Sequence, residues 1–160
     1  MTFQYLTFFM AGEEYAVGIL QVREILELGP ITRIPAAPAH IRGVINVRGS
    51  VVPVIDLAVK LGLPETQVTR RTCVVIVELA FQDETRVLGI LVDAVHQVIE
   101  LSAAEIEAPP TFGMQVPASF LVGMARAEPK FVMLLDLERI LTAAEIEAAE
   151  SIATSEADAA

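Results

Sequence analysis

Two aspartates are the first residues to weigh for chemistry. Asp56 and Asp136 stand in matching contexts, Val54-Ile55-Asp56-Leu57 and Leu134-Leu135-Asp136-Leu137, 80 positions apart. One carboxylate from each half of a duplicated chain is how two acids share a proton and activate water. A small hydrolase using Asp56 and Asp136 is therefore the catalytic alternative. Its local sequence argues against it: Leu57-Ala58 and Leu137-Glu138 offer no small hydroxyl-glycine turn that would expose a carboxylate. An aspartate between a strand and a short helical turn suits a structural task instead, accepting the turn's first amides.

The remaining reactive side chains are scattered. His40 and His96 are the only histidines, and neither has a histidine or cysteine close by in the chain, as a zinc site requires. Cys73 is the only cysteine, which excludes an intrachain disulfide and any cysteine-cluster metal site. It opens an aliphatic run and reads as a small hydrophobe. Gly43-Val44-Ile45-Asn46-Val47-Arg48-Gly49 lacks the lysine and hydroxyl of a phosphate loop, and Ser50 has no hydrolase context. No cofactor and no metal are expected, and nothing rises to an enzyme.

A chain of 160 residues suits one domain or two joined half-domains. With 21 acidic against 11 basic residues the net charge is -10, which disfavours nucleic acid and anionic membrane as partners. No charged start followed by an apolar stretch suggests a signal peptide, so a cytoplasmic protein is expected.

Short apolar runs with turn residues between them predict a β-rich chain. Residues 3–10 read as a strand, turning at Ala11 to Glu14 into a second strand at Tyr15. Ile19 to Leu26 fits either a helical turn or a strand with Gln21, Arg23 and Glu24 in solvent. Gly43 to Leu57 reads as strand, turn and strand, with Pro53 marking an edge or bulge. Residues 72–79 give the strongest strand signal, followed by a turn at 82–84 and a partner at 86–92. Ser102 and Glu105, and again Thr142 and Glu145, have capping-box spacing. Thr142 opens the one long helical candidate, and residues 151–160 read as a disordered acidic tail.

The chain also repeats itself. Ile41, Gly43, Val54, Ile55, Asp56, Leu57 and Leu61 match Leu121, Gly123, Leu134, Leu135, Asp136, Leu137 and Leu141 at a constant offset of 80. Val17-Gly18-Ile19-Leu20 echoes Leu88-Gly89-Ile90-Leu91 at an offset of 71, the difference falling in the Pro-rich stretch 109–117. Two β-rich halves, about 15–65 and 86–145, are expected to close into small five-stranded barrels that leave no long edge exposed. With catalysis set aside, contact is the function left, and Val22-Arg23-Glu24 and Arg48 offer mixed apolar and charged surface suited to an interface.

The combined pattern resembles the CheW family of chemotaxis coupling proteins. The residues that carry the resemblance are Phe8, Gly12 to Val17, Ile19, Val22, Glu24-Ile25, Thr32 to Pro35, Pro38 and Ile41 to Gly49. Val52 to Leu57, Leu88 to Asp93, Val95, Gly123-Met124 and Leu134 to Leu137 continue it, so it spans about residues 5–145. The resemblance implies an all-β domain over residues 1–150, made of two intertwined SH3-like barrels with short helices and a C-terminal helix. It implies a cytoplasmic, non-catalytic adaptor between methyl-accepting chemoreceptors and a CheA-type histidine kinase, recruited to receptor clusters, with other CheW copies as ring partners. Carried over by position, Val22, Glu24, Arg48, Val74 and Val75 would face the receptor, the three valines lining an apolar groove. The region of Asp56, Leu57, Lys60 and Leu61 would meet the kinase.

Overall fold

The computed structural model describes residues 1–81, 83–109, 116–127, 130–142, 145–146 and 148–153. Two hairpins set the pattern. The first joins β1 (Thr2–Met10) to β2 (Glu13–Gly18) through Ala11-Gly12, both with left-handed backbone at φ 52 and 81. The second joins β6 (Cys73–Phe81) to β7 (Glu84–Val92). Their closing pairs, Met10 with Glu13 and Phe81 with Glu84, lie 71 positions apart and explain that offset in the sequence.

Each hairpin is followed in the chain by a second group of strands. The first group is β3 (Val22–Glu27), β4 (Ile41–Val47) and β5 (Ser50–Asp56), ending in the helical turn α1 (Leu57–Lys60). The second is β8 (Ala94–Ser102), β9 (Ile106–Glu107), β10 (Leu121–Ala127) and β11 (Lys130–Leu135), ending in α2 (Leu137–Ile140). The two sheets mix these groups. One has the order β8-β1-β2-β11-β10-β9 and the other β3-β6-β7-β5-β4. Each sheet thus takes its hairpin from one half of the chain and its remaining strands from the other, and the halves exchange hairpins reciprocally. The parallel seams between β2 and β11 and between β5 and β7 are where the borrowed hairpins dock.

The offset of 80 has an equally local cause. β4 and β5 slip register between Ile41 and Gly43, and β10 and β11 slip between Leu121 and Gly123. At each bulge a glycine lets another segment of chain cross close by. A Cβ on Gly43 would sit 2.4 Å from the Thr32 carbonyl oxygen, and one on Gly123 would sit 2.6 Å from Ile106 and 2.8 Å from the Glu107 oxygen. The repeated glycine marks a crossing that no side chain fits.

Alternation along the strands divides the apolar residues among three cores. Leu6, Phe8, Met10, Val75, Val77, Leu88 and Ile90 meet between the sheets, joined by Leu57 and Leu137 from the helical turns. Tyr5, Ala16, Leu101 and Leu134 cluster on the other face of the six-stranded sheet. Val52, Val54, Val74, Ile76 and Leu91 do so on the five-stranded sheet. Leu26 and Leu28 from the β3 end and Ile45 and Val47 from β4 pack on that last cluster, so opposite edges curl toward one core.

Several expectations are corrected here. The sheets have six and five strands and curl into half-barrels, not two closed five-stranded barrels: among the described residues no ladder joins β3 to β4. A single bridge, Thr32 with Val44, is all that the chain beyond β3 adds to β4. Pro53 lies in an inner strand, at the residue before the β5–β7 ladder begins at Val54, where its missing N–H breaks no bond to β7. Ile19 to Leu26 is both of its alternatives in turn, a 3-10 turn at Ile19–Gln21 and then β3. The capping box at Thr142 is present: its amide donates to Glu145 Oε1 at 3.2 Å and its Oγ1 accepts the Glu145 amide at 3.1 Å. Residues 148–153 are helical with Ala149 and Ala153 buried, so 151–153 belong to the packed body, not to a tail. Gln82, most of 109–117 and residues 154–160 lie outside the described residues.

Candidate functional site

The β4–β5 turn is two residues long, Arg48-Gly49, both left-handed at φ 49 and 88, as tight hairpins require. Asn46 Oδ1 accepts the Gly49 amide at 2.9 Å and braces it. A left-handed backbone is unfavourable for an arginine. Here it aims the guanidinium back across the sheet. Arg48 Nη1 and Nη2 donate to the two carboxylate oxygens of Glu24 on β3 at 2.8 and 3.0 Å. This two-pronged pairing is the stronger and more directional form of an ion pair. Hydrogen bonding to Glu24, then its charge, raises the guanidinium pKa further, against slight desolvation. The Arg48 side chain is 73% exposed and that of Glu24 21%, so a largely solvated cation covers a carboxylate sunk in the surface.

β3 and β4 are the two edges of the five-stranded sheet. The fork therefore bridges edges that no ladder closes. Beside it opens a groove of 450 Å³ whose lining includes Val52, Ile76 and Val87, with Arg23, Glu24 and Arg48 at its rim. Glu150 and Ala153 of the C-terminal helical segment form the far wall, and Glu150 is tied down by Arg86 Nη1 at 3.0 Å.

The five expected receptor positions fall on two faces. Glu24 pairs across the ladder with Ile76, and Val74 belongs to the same cluster as Ile76, beneath the groove. Val75 points the other way into the core between the sheets, where Val22 packs against it partly buried. Val74 and Val75 are each only 1% exposed. They shape the groove region from within and present no surface, because β6 is an inner strand covered on both faces.

The expected kinase region lies mostly inside the molecule. Asp56 is fully buried and Leu57 and Leu61 lie in the core between the sheets, so none of the three offers a contact surface. The Asp56 carboxylate makes no capping hydrogen bond. It accepts instead from the Thr66 amide at 3.0 Å, the Thr66 hydroxyl at 2.8 Å and Arg42 Nη1 at 3.3 Å. Asp136 does not cap with its side chain either and pairs with Arg139 at 3.3 Å. A fully buried Asp56, saturated by donors, has no access to water, which removes the hydrolase alternative. Lys60 alone of the four reaches the surface, and it is paired with Glu145.

Glu145 is a feature that sequence reasoning missed as a tertiary contact. It anchors the C-terminal helix to α1 through Lys60 and stands 3.6 Å from His40 Nε2. Burial lowers the His40 pKa, Glu145 counters and Lys60 adds to the lowering. That Nε2 is buried without a hydrogen bond. His96 lies at the surface and hydrogen-bonds Glu14 at 2.7 Å. Among the described residues no cluster of His, Cys, Asp or Glu could hold a metal ion, and no helix is long and apolar enough to cross a membrane.

The fold and site define a class: an interaction module of two interlocked β half-barrels, with a groove rimmed by an ion pair and its carboxylates engaged structurally. Comparison with known proteins narrows the class. Residues 4–145 match the CheW-like domain family. The chain is 34% identical over 152 residues to the chemotaxis protein CheW of Klebsiella aerogenes, covering 95% of this chain and 89% of the relative. It is 33% identical over 144 residues to that of Rhizobium meliloti, covering 90% of each. The solved scaffolding protein TtCheW from Thermoanaerobacter tengcongensis superposes with a TM-score of 0.78 at 31% identity, covering 91% of both chains. The chain belongs to the CheW family, and is a non-catalytic adaptor of chemotaxis signalling.

Proposed function

We propose that this chain is a cytoplasmic adaptor that couples methyl-accepting chemoreceptors to a CheA-type histidine kinase, in arrays that also hold other CheW copies. The observation that carries the receptor side is the Arg48–Glu24 fork at the rim of a groove that mixes apolar and polar lining. A receptor tip seated there gains affinity from apolar area and register from the ion pair. Glu24 acts from β3 and Arg48 from the facing turn, while Val22, Val74 and Val75 hold the sheet that supports them. On this reading the two curled sheets, each an open half-barrel, form one domain that takes in residues 151–153. Kinase contact then falls on surface about Lys60 and on the six-stranded sheet, not on the interior residues of the Asp56 region.

The test is reconstitution. The chain is mixed with its host's CheA-type kinase and clustered receptor cytoplasmic fragments, with co-sedimentation and kinase autophosphorylation followed together. Recruitment of the kinase, and altered phosphorylation only when the chain is present, establishes coupling. Binding to neither partner, where another coupling protein of the same cell succeeds, refutes it.

A further inference from the structure

A second cavity, larger than the groove beside Arg48, lies apart from it. It is a cleft of 1010 Å³ bounded by the β1–β2 turn, by residues 64–71 and by Asp93-Ala94, with Phe9, Ala58 and Ala94 among its apolar lining. Arg70 and Arg71 stand on its rim. They are the two central residues of a turn closed by the Thr72 amide donating to the Thr69 carbonyl at 3.3 Å. The turn is braced twice more, by the Thr69 amide on Thr72 Oγ1 at 2.8 Å and the Arg71 amide on Thr69 Oγ1 at 3.1 Å. Thr72 is 2% exposed, so the frame beneath the arginines is rigid and anchored.

What sets these arginines apart is that neither has a counter-ion among the described residues. There, every lysine and arginine pairs with a carboxylate within 4 Å except Arg70, Arg71 and Lys130. The acids lining the same cleft are already engaged: Glu65 by Arg33 and Arg42, and Asp93 by the Ala11 amide at 3.1 Å. In a chain of net charge -10, two adjacent free guanidinium groups on a braced turn, beside an apolar cleft, form a localised cationic rim. Bulk electrostatics repels polyanions from such a protein, whereas a short acidic segment meets only the local field.

We propose that this cleft docks an acidic peptide segment of a partner protein. Its carboxylates pair with Arg70 and Arg71, and one apolar side chain sits against Phe9, Ala58 and Ala94. The surface is separate from the Arg48–Glu24 groove, so its occupation does not depend on the receptor reading.

The probe is a fluorescent twelve-residue peptide rich in glutamate with a single central leucine, read by anisotropy at low salt. Two matched probes carry glutamine for glutamate and glycine for the leucine. Neither arginine side chain has a partner among the described residues, so R71E folds as the parent does, checked by its melting curve. K130E makes the same change of net charge away from the cleft. The expected result is that R71E weakens binding of the acidic probe about tenfold, that K130E changes it less than about twofold, and that added salt weakens it. The glutamine and glycine probes bind more weakly than the parent probe. Equal losses in R71E and K130E, or none in R71E, overturn the proposal. So does equal binding of the glycine and leucine probes, with inorganic pyrophosphate displacing both, which would mean a bare anion patch.

Discussion

Arg48 forks onto Glu24 at 2.8 and 3.0 Å and thereby ties together the two edge strands of a sheet that has no ladder between them. The pair sits where the half-barrel is open and where the groove begins. An ion pair this exposed adds little to stability. Its consequence lies in holding two edges at a fixed separation, which is the property a docking partner reads.

Changing Arg48 to Ala or Glu24 to Ala therefore leaves the melting temperature within about 2 °C of the parent. Receptor binding in co-sedimentation falls by about tenfold in either variant. The exchanged double variant E24R/R48E recovers part of that loss if the pair acts by joining the edges. No recovery would show that each charge meets its own partner on the receptor.

Gly43→Ala and Gly123→Ala test the crossings. Each new methyl group meets a neighbouring segment at under 3 Å, including backbone oxygen of Thr32 or Glu107. Relief requires a strand to shift, at a cost of about 2–4 kcal/mol, seen as a drop of roughly 5–15 °C in the melting temperature. Gly49→Ala, which has open space around its Cβ, loses less.

Asp56→Ala removes a fully buried carboxylate and leaves the Thr66 amide and hydroxyl without their acceptor, while Arg42 keeps Glu65 at 3.1 Å and the Thr66 carbonyl at 3.0 Å. The expected loss is about 2–4 kcal/mol by chemical denaturation. Kinase recruitment measured well below the midpoint stays at the parent level, because Asp56 has no surface. A folded Asp56 variant that loses kinase binding alone would return the residue to the interface.

Acid weakens the attachment of the C-terminal helix in two stages. Burial, with Lys60 assisting and Glu145 opposing, holds His40 below its ordinary 6.5, so the unfolded chain takes that proton first. Stability is complete above pH 6.5 and declines as pH falls through 6.5 toward the folded value. Burial opposes the Glu145 charge, but Lys60 and Thr142 outweigh it and keep its pKa below 4.5. A second loss therefore begins below pH 4.5. Urea unfolding at a series of pH values follows both stages, and His40→Gln flattens the first while leaving the second.

How much of this was legible in the sequence depends on the distance of the partner. The repeat could be read because each copy needs the same glycine at the same bulge, Gly43 and Gly123. The Thr142–Glu145 box could be read because both members lie within one turn. Asp56 could not. A capping role follows from its neighbours, yet its partners are Arg42 and Thr66, 14 and 10 positions away on other elements. Adjacent valines suggest one outward side chain, but β6 lies inside its sheet with a core on each face, and both Val74 and Val75 are buried. The hairpin exchange left no local trace, since either partnering satisfies the same alternation.

That exchange makes the two halves of the chain useless to themselves. Residues 1–68 would retain β3, β5 and β4 without the hairpin that belongs between β3 and β5, and β1 and β2 without the strands that flank them. Residues 69–160 would lack the complementary set. Nicked in the exposed stretch around Val68, the protein would survive only as an obligate pair of complementing fragments, each templating the other. For an intact adaptor the same interlock means that load applied to either sheet is shared by both halves of the backbone, and neither sheet can detach while the other stays whole.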